Sequence, residues 1–208
     1  MRSAIFYILL VLSANLTATL FIPLPFFGIV AIGTFIFGFT FTQRDYMHRH
    51  GRPFVYKVIV IAAVLNLAVL LAFKHLFGPA LVEALQFSGY SWLYEGFNTL
   101  LGNTYRVFIA SFIAIILAET ADTEVYHRLR HRSWLTRVLG SNAISIPVDT
   151  VLFYCIAFVG VANWSLEMLG AAIFGEIIIK YVIGFAYGLT GEGIRSKSDS
   201  LDMDKALS

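Results

Sequence analysis

The stretch YRVFIASFIAIILAETADTEVY, residues 105–126, decides the class of fold. It is apolar over a length that crosses a bilayer, for which about 20 residues are needed. It is interrupted by Ser111, Glu119 and Asp122. Ser111 and Asp122 lie eleven residues apart, close to three helical turns, and so share one face. Glu119 lies one turn before Asp122, which makes the two carboxylates neighbours. An ionisable side chain inside a span is costly and marks a working site by default. Arg106 falls on a different face near one end of the run and is read as an anchor.

Outward from this stretch, five more apolar runs follow the same pattern. They are Ala4 to Ile22, Phe26 to Thr42, Phe54 to Phe77, Asn142 to Ala162 and Leu166 to Leu189. Pro23 and Pro25 end the first, and Gly78-Pro79 ends the third. The composition agrees: 58% of residues are hydrophobic and 13% are charged, and mean hydropathy is +0.76. Soluble domains carry about 25% charged residues, so this chain lacks the polar surface to coat a globule in water. The expectation is an all-α integral membrane protein, a six-transmembrane-helix bundle over residues 1–189, with a polar, frayed tail at 190–208. Arg2 and the apolar run behind it have the outline of a signal peptide. The run extends through Phe21, however, beyond the usual length of such a segment, and further spans follow.

Orientation follows from the basic residues. Twelve of the 15 lie in alternate connections or at the termini. Arg44, Arg49, Arg52 and Lys57 follow the second span; Arg128, Arg130, Arg132 and Arg137 follow the fourth. Arg2 and the tail residues Arg195, Lys197 and Lys205 complete the set. The connections at Pro23–Pro25 and Ala162–Ser165 carry none, and the long one from Lys74 to Asn103 carries only Lys74. Both termini are therefore expected in the cytoplasm. The long connection, Gly78 to Thr104, holds Phe87, Tyr90, Trp92, Tyr94 and Phe97. It reads as an interfacial helix with an aromatic belt, or as a lid over the outer mouth.

Polar residues recur on the later spans. Asn142, Ser145 and Asp149 share a face of the fifth, where Pro147 frees a carbonyl and is expected to kink the helix. Glu176 and Lys180 stand at i, i+4 on the sixth, a spacing that allows an ion pair. Asn66 and Thr34 are weaker signals, since amides and hydroxyls also join helices. Gly28, Gly33 and Gly38 suggest close packing in the second span. By depth these groups point to a cavity running from the midplane to the cytoplasmic side. Cys155, the one cysteine, excludes an internal disulfide and reads as a packed core residue. The sequons at Asn15 and Asn163 fall in or beside apolar runs and read as chance.

The residues Arg106-Val-Phe-Ile-Ala-Ser111-Phe, then Glu119-Thr-Ala-Asp122-Thr-Glu-Val-Tyr126-His-Arg-Leu129, then Ser141 and Asp149-Thr150 with Phe153, together resemble the VUT family, the queuosine precursor transporters. The resemblance runs in order from the second span through the sixth and is strongest from Arg106 to Phe158. It implies a six-span importer of a 7-deazaguanine precursor (nitrile or aminomethyl form) in the bacterial inner membrane. By position it implies that Ser111, Glu119, Asp122 and Asp149 line the substrate cavity. The residues themselves add Ser145, Glu176 and Asn66 as candidate substrate contacts. This chain departs from the family pattern in two places. Glu119 stands where many members have Gln, and at Thr42-Gln43-Arg44-Asp45 the usual acidic signature is either displaced by one position or replaced by Arg44. The implied partners are a small planar nucleobase-like solute and the lipid bilayer, with no cofactor, no metal and no nucleic acid; a homo-oligomer stays open.

Three rival classes fit parts of the sequence. A substrate-binding subunit of an energy-coupling-factor vitamin importer has similar size and span number, but needs a separate ATPase. An intramembrane metal-dependent enzyme would draw on His127 and His131 at i, i+4, with His48 and His50 nearby. The arginines around His127 repel a cation, and a cytoplasmic basic loop explains them better. A scaffold leaves buried acids on three spans without a use. No Gly-Lys-Ser/Thr sequence is present for nucleotide hydrolysis.

Overall fold

The computed structural model describes residues 2–25, 28–47, 50–161 and 164–207. His48, Arg49 and Asn163 lie outside the described residues, as do the side chains of Asp45 and of the tail from 190 onward. Among the described residues the regular structure is helical apart from one hairpin. Its elements are α1 (Arg2–Leu16), β1 (Phe21–Leu24), β2 (Gly28–Ala31), α2 (Ile32–Met47), α3 (Arg52–Ala72), α4 (Gly78–Gln86), α5 (Ser91–Arg128), α6 (Trp134–Phe158) and α7 (Leu166–Leu207). Four helical stretches are long and apolar enough to cross a membrane: Arg52–Gln86, Ser91–Arg128, Trp134–Phe158 and Leu166–Ala186. A shorter apolar helix, Ser3–Leu16, precedes them.

The hairpin corrects the expected boundaries of the first two spans. α1 stops at Leu16, where the Thr17 hydroxyl donates to the Ser13 and Ala14 carbonyls at 2.8 and 3.3 Å. Phe21-Ile-Pro-Leu24 then pairs antiparallel with Gly28-Ile-Val-Ala31, with Pro23 opposite Ile29. Proline has no N–H and cannot continue a helix, but a two-stranded ribbon has a free edge that tolerates it. Gly28 supplies the positive φ of +76° on re-entry from the turn. It therefore belongs to a turn. Gly33 and Gly38 do serve close packing: a Cβ on Gly33 would strike the Ala14 carbonyl, and one on Gly38 would strike Ile183.

The third span does not end at Gly78-Pro79. α3 passes through one π-helical turn, Phe73–Phe77, directly into α4, and Pro79 sits in the first turn of α4, where its missing N–H costs nothing. Gly89, at φ +76°, then reverses the chain into α5. The connection from Gly78 to Thr104 is thus a helical hairpin. α5 breaks helical geometry at Asn103, whose side-chain amide donates back to the Thr99 carbonyl at 3.0 Å. The part beyond this break matches the fourth span read from sequence. The tail at 190–207 continues α7 as helix instead of fraying.

α5 and α6 share the largest interface and run antiparallel. Arg106 near the start of α5 ties them by donating to the Ile156 and Val159 carbonyls at 3.1 and 2.6 Å, which caps the end of α6. The Ser133 hydroxyl caps the start of α6 by accepting from the Thr136 N–H at 3.2 Å. α6 runs as one helix through Pro147. The carbonyl that Pro147 leaves free is that of Ala143, and the Tyr181 hydroxyl of α7 donates to it at 3.0 Å. Cys155 faces outward on α6, so it is not a core residue. An outward face on a membrane helix meets lipid, and an apolar run therefore does not report burial.

Candidate functional site

Two charged clusters lie inside the bundle. The first is centred on Arg44 of α2, which is 0% exposed. Its guanidinium donates to Glu119 Oε2 at 2.9 Å and to Asn142 Oδ1 at 3.2 Å, and meets Asp122 Oδ1 at 2.7 Å. The Ser145 hydroxyl donates to the same Asp122 oxygen at 3.1 Å, and the Tyr7 hydroxyl donates to Glu119 Oε1 at 3.3 Å. Five side chains from α1, α5 and α6 thus close around one arginine. Arginine suits this position, since its planar fork offers several donors in fixed directions and stays charged when buried.

The second cluster is centred on Lys180 of α7. Its ammonium donates to Asp149 Oδ2 at 2.8 Å and to Thr150 Oγ1 at 3.1 Å, and pairs with Glu176 one turn earlier. Three acceptors match the three donors of an ammonium. The ion pair read from the i, i+4 spacing is present, and Asp149 of α6 joins it. The Phe37 ring of α2 lies under the ammonium, 5.0 Å from its centroid.

A cavity opens beside this second cluster. Asp149, Glu176 and Lys180 form its charged wall. Ser111 and Ile115 of α5 face them, with Phe37 and Thr34 of α2 and Phe153 of α6. Ala14, Asn15 and Ala18 near the end of α1, and Ala31 and Gly33 where the hairpin joins α2, complete the lining. The hydroxyl of Thr34 is buried without a hydrogen-bond partner and borders this space.

The cavity and the Arg44 cluster occupy different levels of the bundle. On every helix the lining residues lie farther from the basic connections than the Arg44 cluster does. Ser111 and Ile115 precede Glu119 and Asp122 on α5; Asp149 and Phe153 follow Asn142 and Ser145 on α6; Thr34 and Phe37 precede Arg44 on α2. The Arg44 cluster therefore closes the basic end, and the cavity occupies the half toward the hairpin. Of the expected site residues, Ser111, Asp149 and Glu176 line the cavity. Glu119, Asp122 and Ser145 are held in the Arg44 cluster and do not line it. Asn66 is buried on α3, its carbonyl oxygen without a hydrogen-bond partner, and also stands apart from the lining. Tyr7 and Asn142 as partners, and Thr34 and Asn15 as lining, were not singled out as contacts. The buried Asn15 was set aside as a chance sequon, and its amide donates to the Val11 carbonyl at 3.0 Å. Phe87, Tyr90 and Trp92, from the segment read as a belt or a lid, are exposed and are not among the residues lining this cavity.

Comparison with known proteins bears on this arrangement directly. A family model described as "Putative vitamin uptake transporter" matches residues 31–189. The chain belongs to this family. The match covers α2 through α7, the elements that carry both charged clusters. The queuosine precursor transporter of Escherichia coli (strain K12) is 30% identical over 161 residues, covering 74% of this chain and 66% of that protein. The probable queuosine precursor transporter of Bacillus subtilis (strain 168) is 29% identical over 152 residues, covering 71% of this chain and 59% of that protein. This VUT-family chain thus spans somewhat less than two thirds of the curated relatives it matches. No solved structure matches it.

Proposed function

We propose that this VUT-family chain imports a queuosine precursor, a small flat 7-deazaguanine, across the plasma membrane. The observation that carries the reading is the cavity wall of Asp149, Glu176 and Lys180 facing Ser111 across an apolar, partly aromatic floor. Carboxylates accept from the adjacent N–H donors of a guanine-like edge, and aromatic faces stack on its ring. The similarity to two proteins named as carriers of such a precursor supports the same solute.

The carrier crosses the membrane six times, with both termini in the cytoplasm. α1 and α2 are 15 and 16 residues long. At 1.5 Å per residue they span about 23 Å each, short of a hydrocarbon core of about 30 Å. Each continues into a four-residue strand of the hairpin, which adds about 13 Å. The hairpin's backbone groups pair with one another and pack on α7, which makes non-helical backbone tolerable at that depth. Residues 1–189 form the carrier and 190–208 a cytoplasmic tail.

The test is rescue of queuosine in transfer RNA, in cells lacking their own precursor synthesis and uptake, with precursor supplied at low concentration. Rescue by the intact chain and failure with Asp149→Asn, inserted at equal level, is the expected result. Failure of the intact chain, inserted at a normal level, overturns the reading. Uptake by the purified chain alone in vesicles separates a self-sufficient carrier from a subunit that needs a coupling ATPase.

A further inference from the structure

The charges around the cavity do not balance. Two carboxylates, Asp149 and Glu176, stand against the single ammonium of Lys180. The groups beyond this wall do not make up the difference. Tyr154 of α6 is buried nearby, and a phenol supplies no positive charge. The Arg44 cluster behind it holds one guanidinium against Glu119 and Asp122, which again leaves one carboxylate in excess. Lys180 takes a single oxygen of Asp149, and the other accepts no hydrogen bond from any described residue. That oxygen belongs to a residue lining the cavity, where a donor on a solute can reach it.

The rest of the lining is apolar or weakly polar. Phe37, Phe153, Ile115 and four small alanine or glycine residues of α1 and the hairpin junction give it smooth walls. Phe37 already lies against one cation, the Lys180 ammonium, at 5.0 Å.

We propose that the cavity selects a flat solute bearing one positive charge, and that Lys180 sets this preference by neutralising one of its two carboxylates. The inference rests on the transport reading above and makes it narrower. Among 7-deazaguanine precursors it singles out the aminomethyl form, which carries an ammonium, over the uncharged nitrile form. The ammonium of the solute bonds the second oxygen of Asp149 and shares Glu176 with Lys180. The ring lies against Phe37 and Phe153. The nitrile form offers no charge to this wall.

The experiment measures binding of 7-aminomethyl- and 7-cyano-7-deazaguanine to the full chain in lipid nanodiscs at one pH and salt. The wild type is expected to favour the aminomethyl form by about tenfold or more, the scale of one charge-assisted hydrogen bond. Glu176→Gln, which leaves Lys180 balanced by Asp149 alone, brings that ratio toward one. Lys180→Met, which leaves two carboxylates without their amine, raises it. A competition on the wild type covers the case in which a variant does not fold: benzylamine displaces the bound aminomethyl form and benzyl alcohol does not. Equal binding of the two forms by the wild type, equal displacement by the two benzyl compounds, or a ratio unmoved in folded Glu176→Gln overturns this inference and leaves the transport reading standing. Binding of neither form overturns both.

Discussion

The Arg44 cluster and the Lys180 cluster hold the same groups, one cation and two carboxylates, yet the cavity described above is lined by the Lys180 cluster and not by the Arg44 cluster. The difference lies in how the partners are supplied. Arg44 is surrounded from α1, α5 and α6, and uncharged groups complete the shell: Asn142 on the guanidinium, Ser145 and Tyr7 on the acids. Such a knot joins four helices at the end of the bundle that carries the basic connections. Lys180 has its partners on α6 and on its own helix, and on its open side stand Phe37, Ser111 and empty space. The same groups therefore serve two purposes. A fork with acceptors on α5 and α6 ties those helices to α2, and a point charge with acceptors on α6 and its own helix leaves a wall that can receive a solute.

The strongest way to break this comparison is Arg44→Ala. Removing the cation strands two carboxylates in the bundle, a loss of about 3–5 kcal/mol for a buried pair. The chain should fail to accumulate as a folded species on size-exclusion in detergent, whereas Arg44→Gln combined with Glu119→Gln should recover part of that loss. If Arg44→Ala is as heat-stable as the wild type, the knot does not hold the basic end closed.

Asp149→Asn separates the clusters by function. It removes one charge from the cavity wall and keeps the shape. Uptake of labelled precursor should fall below about a tenth of the wild-type rate, the scale of a lost charge-assisted contact, with insertion intact. Normal uptake would remove Asp149 from the binding wall.

A pair of serine changes sharpens the contrast at smaller scale. Ser145→Ala deletes a hydrogen bond to a charged oxygen and should lower thermal stability by about 1–2 kcal/mol with little change in the apparent KM of uptake. Ser111→Ala should do the reverse, a several-fold rise in apparent KM with stability hardly moved. The smallest effect is expected from Tyr7→Phe, whose 3.3 Å contact to Glu119 is long. It should cost about 0.5–1 kcal/mol by thermal unfolding and nothing in uptake.

Much of the fold was legible in particular residues. The apolar runs of α3, α5, α6 and α7 are long and uniform, and a bilayer leaves no other structure for such runs. The region from Phe21 to Ala31 was misread because a short apolar run looks alike as buried helix or as strand; periodicity does not separate them. Pro23 was the available signal, read as a stop and not as an edge strand. The site was legible as a list of residue types and not as a map. Ser111, Asp149 and Glu176 were found because polarity in a span is conspicuous. Arg44 was read as closing the end of the second span because arginines near a span end usually belong to the basic loop. It also stood out as a departure from the family pattern, as did Glu119. In the structure the two departures touch, at 2.9 Å, as one ion pair.

The sequence by itself determined that this chain enters a membrane, which ends of its helices carry the basic residues, and which helices bear polar groups. Those follow from hydropathy and charge along one dimension. The tertiary structure decided that Glu119 and Asp122 belong to Arg44, that Asp149 belongs to Lys180, and that the cavity lies on the hairpin side of the knot. Which of several buried charges pair depends on how five helices rotate and cross, and side chains distant in sequence meet only once the helices are packed.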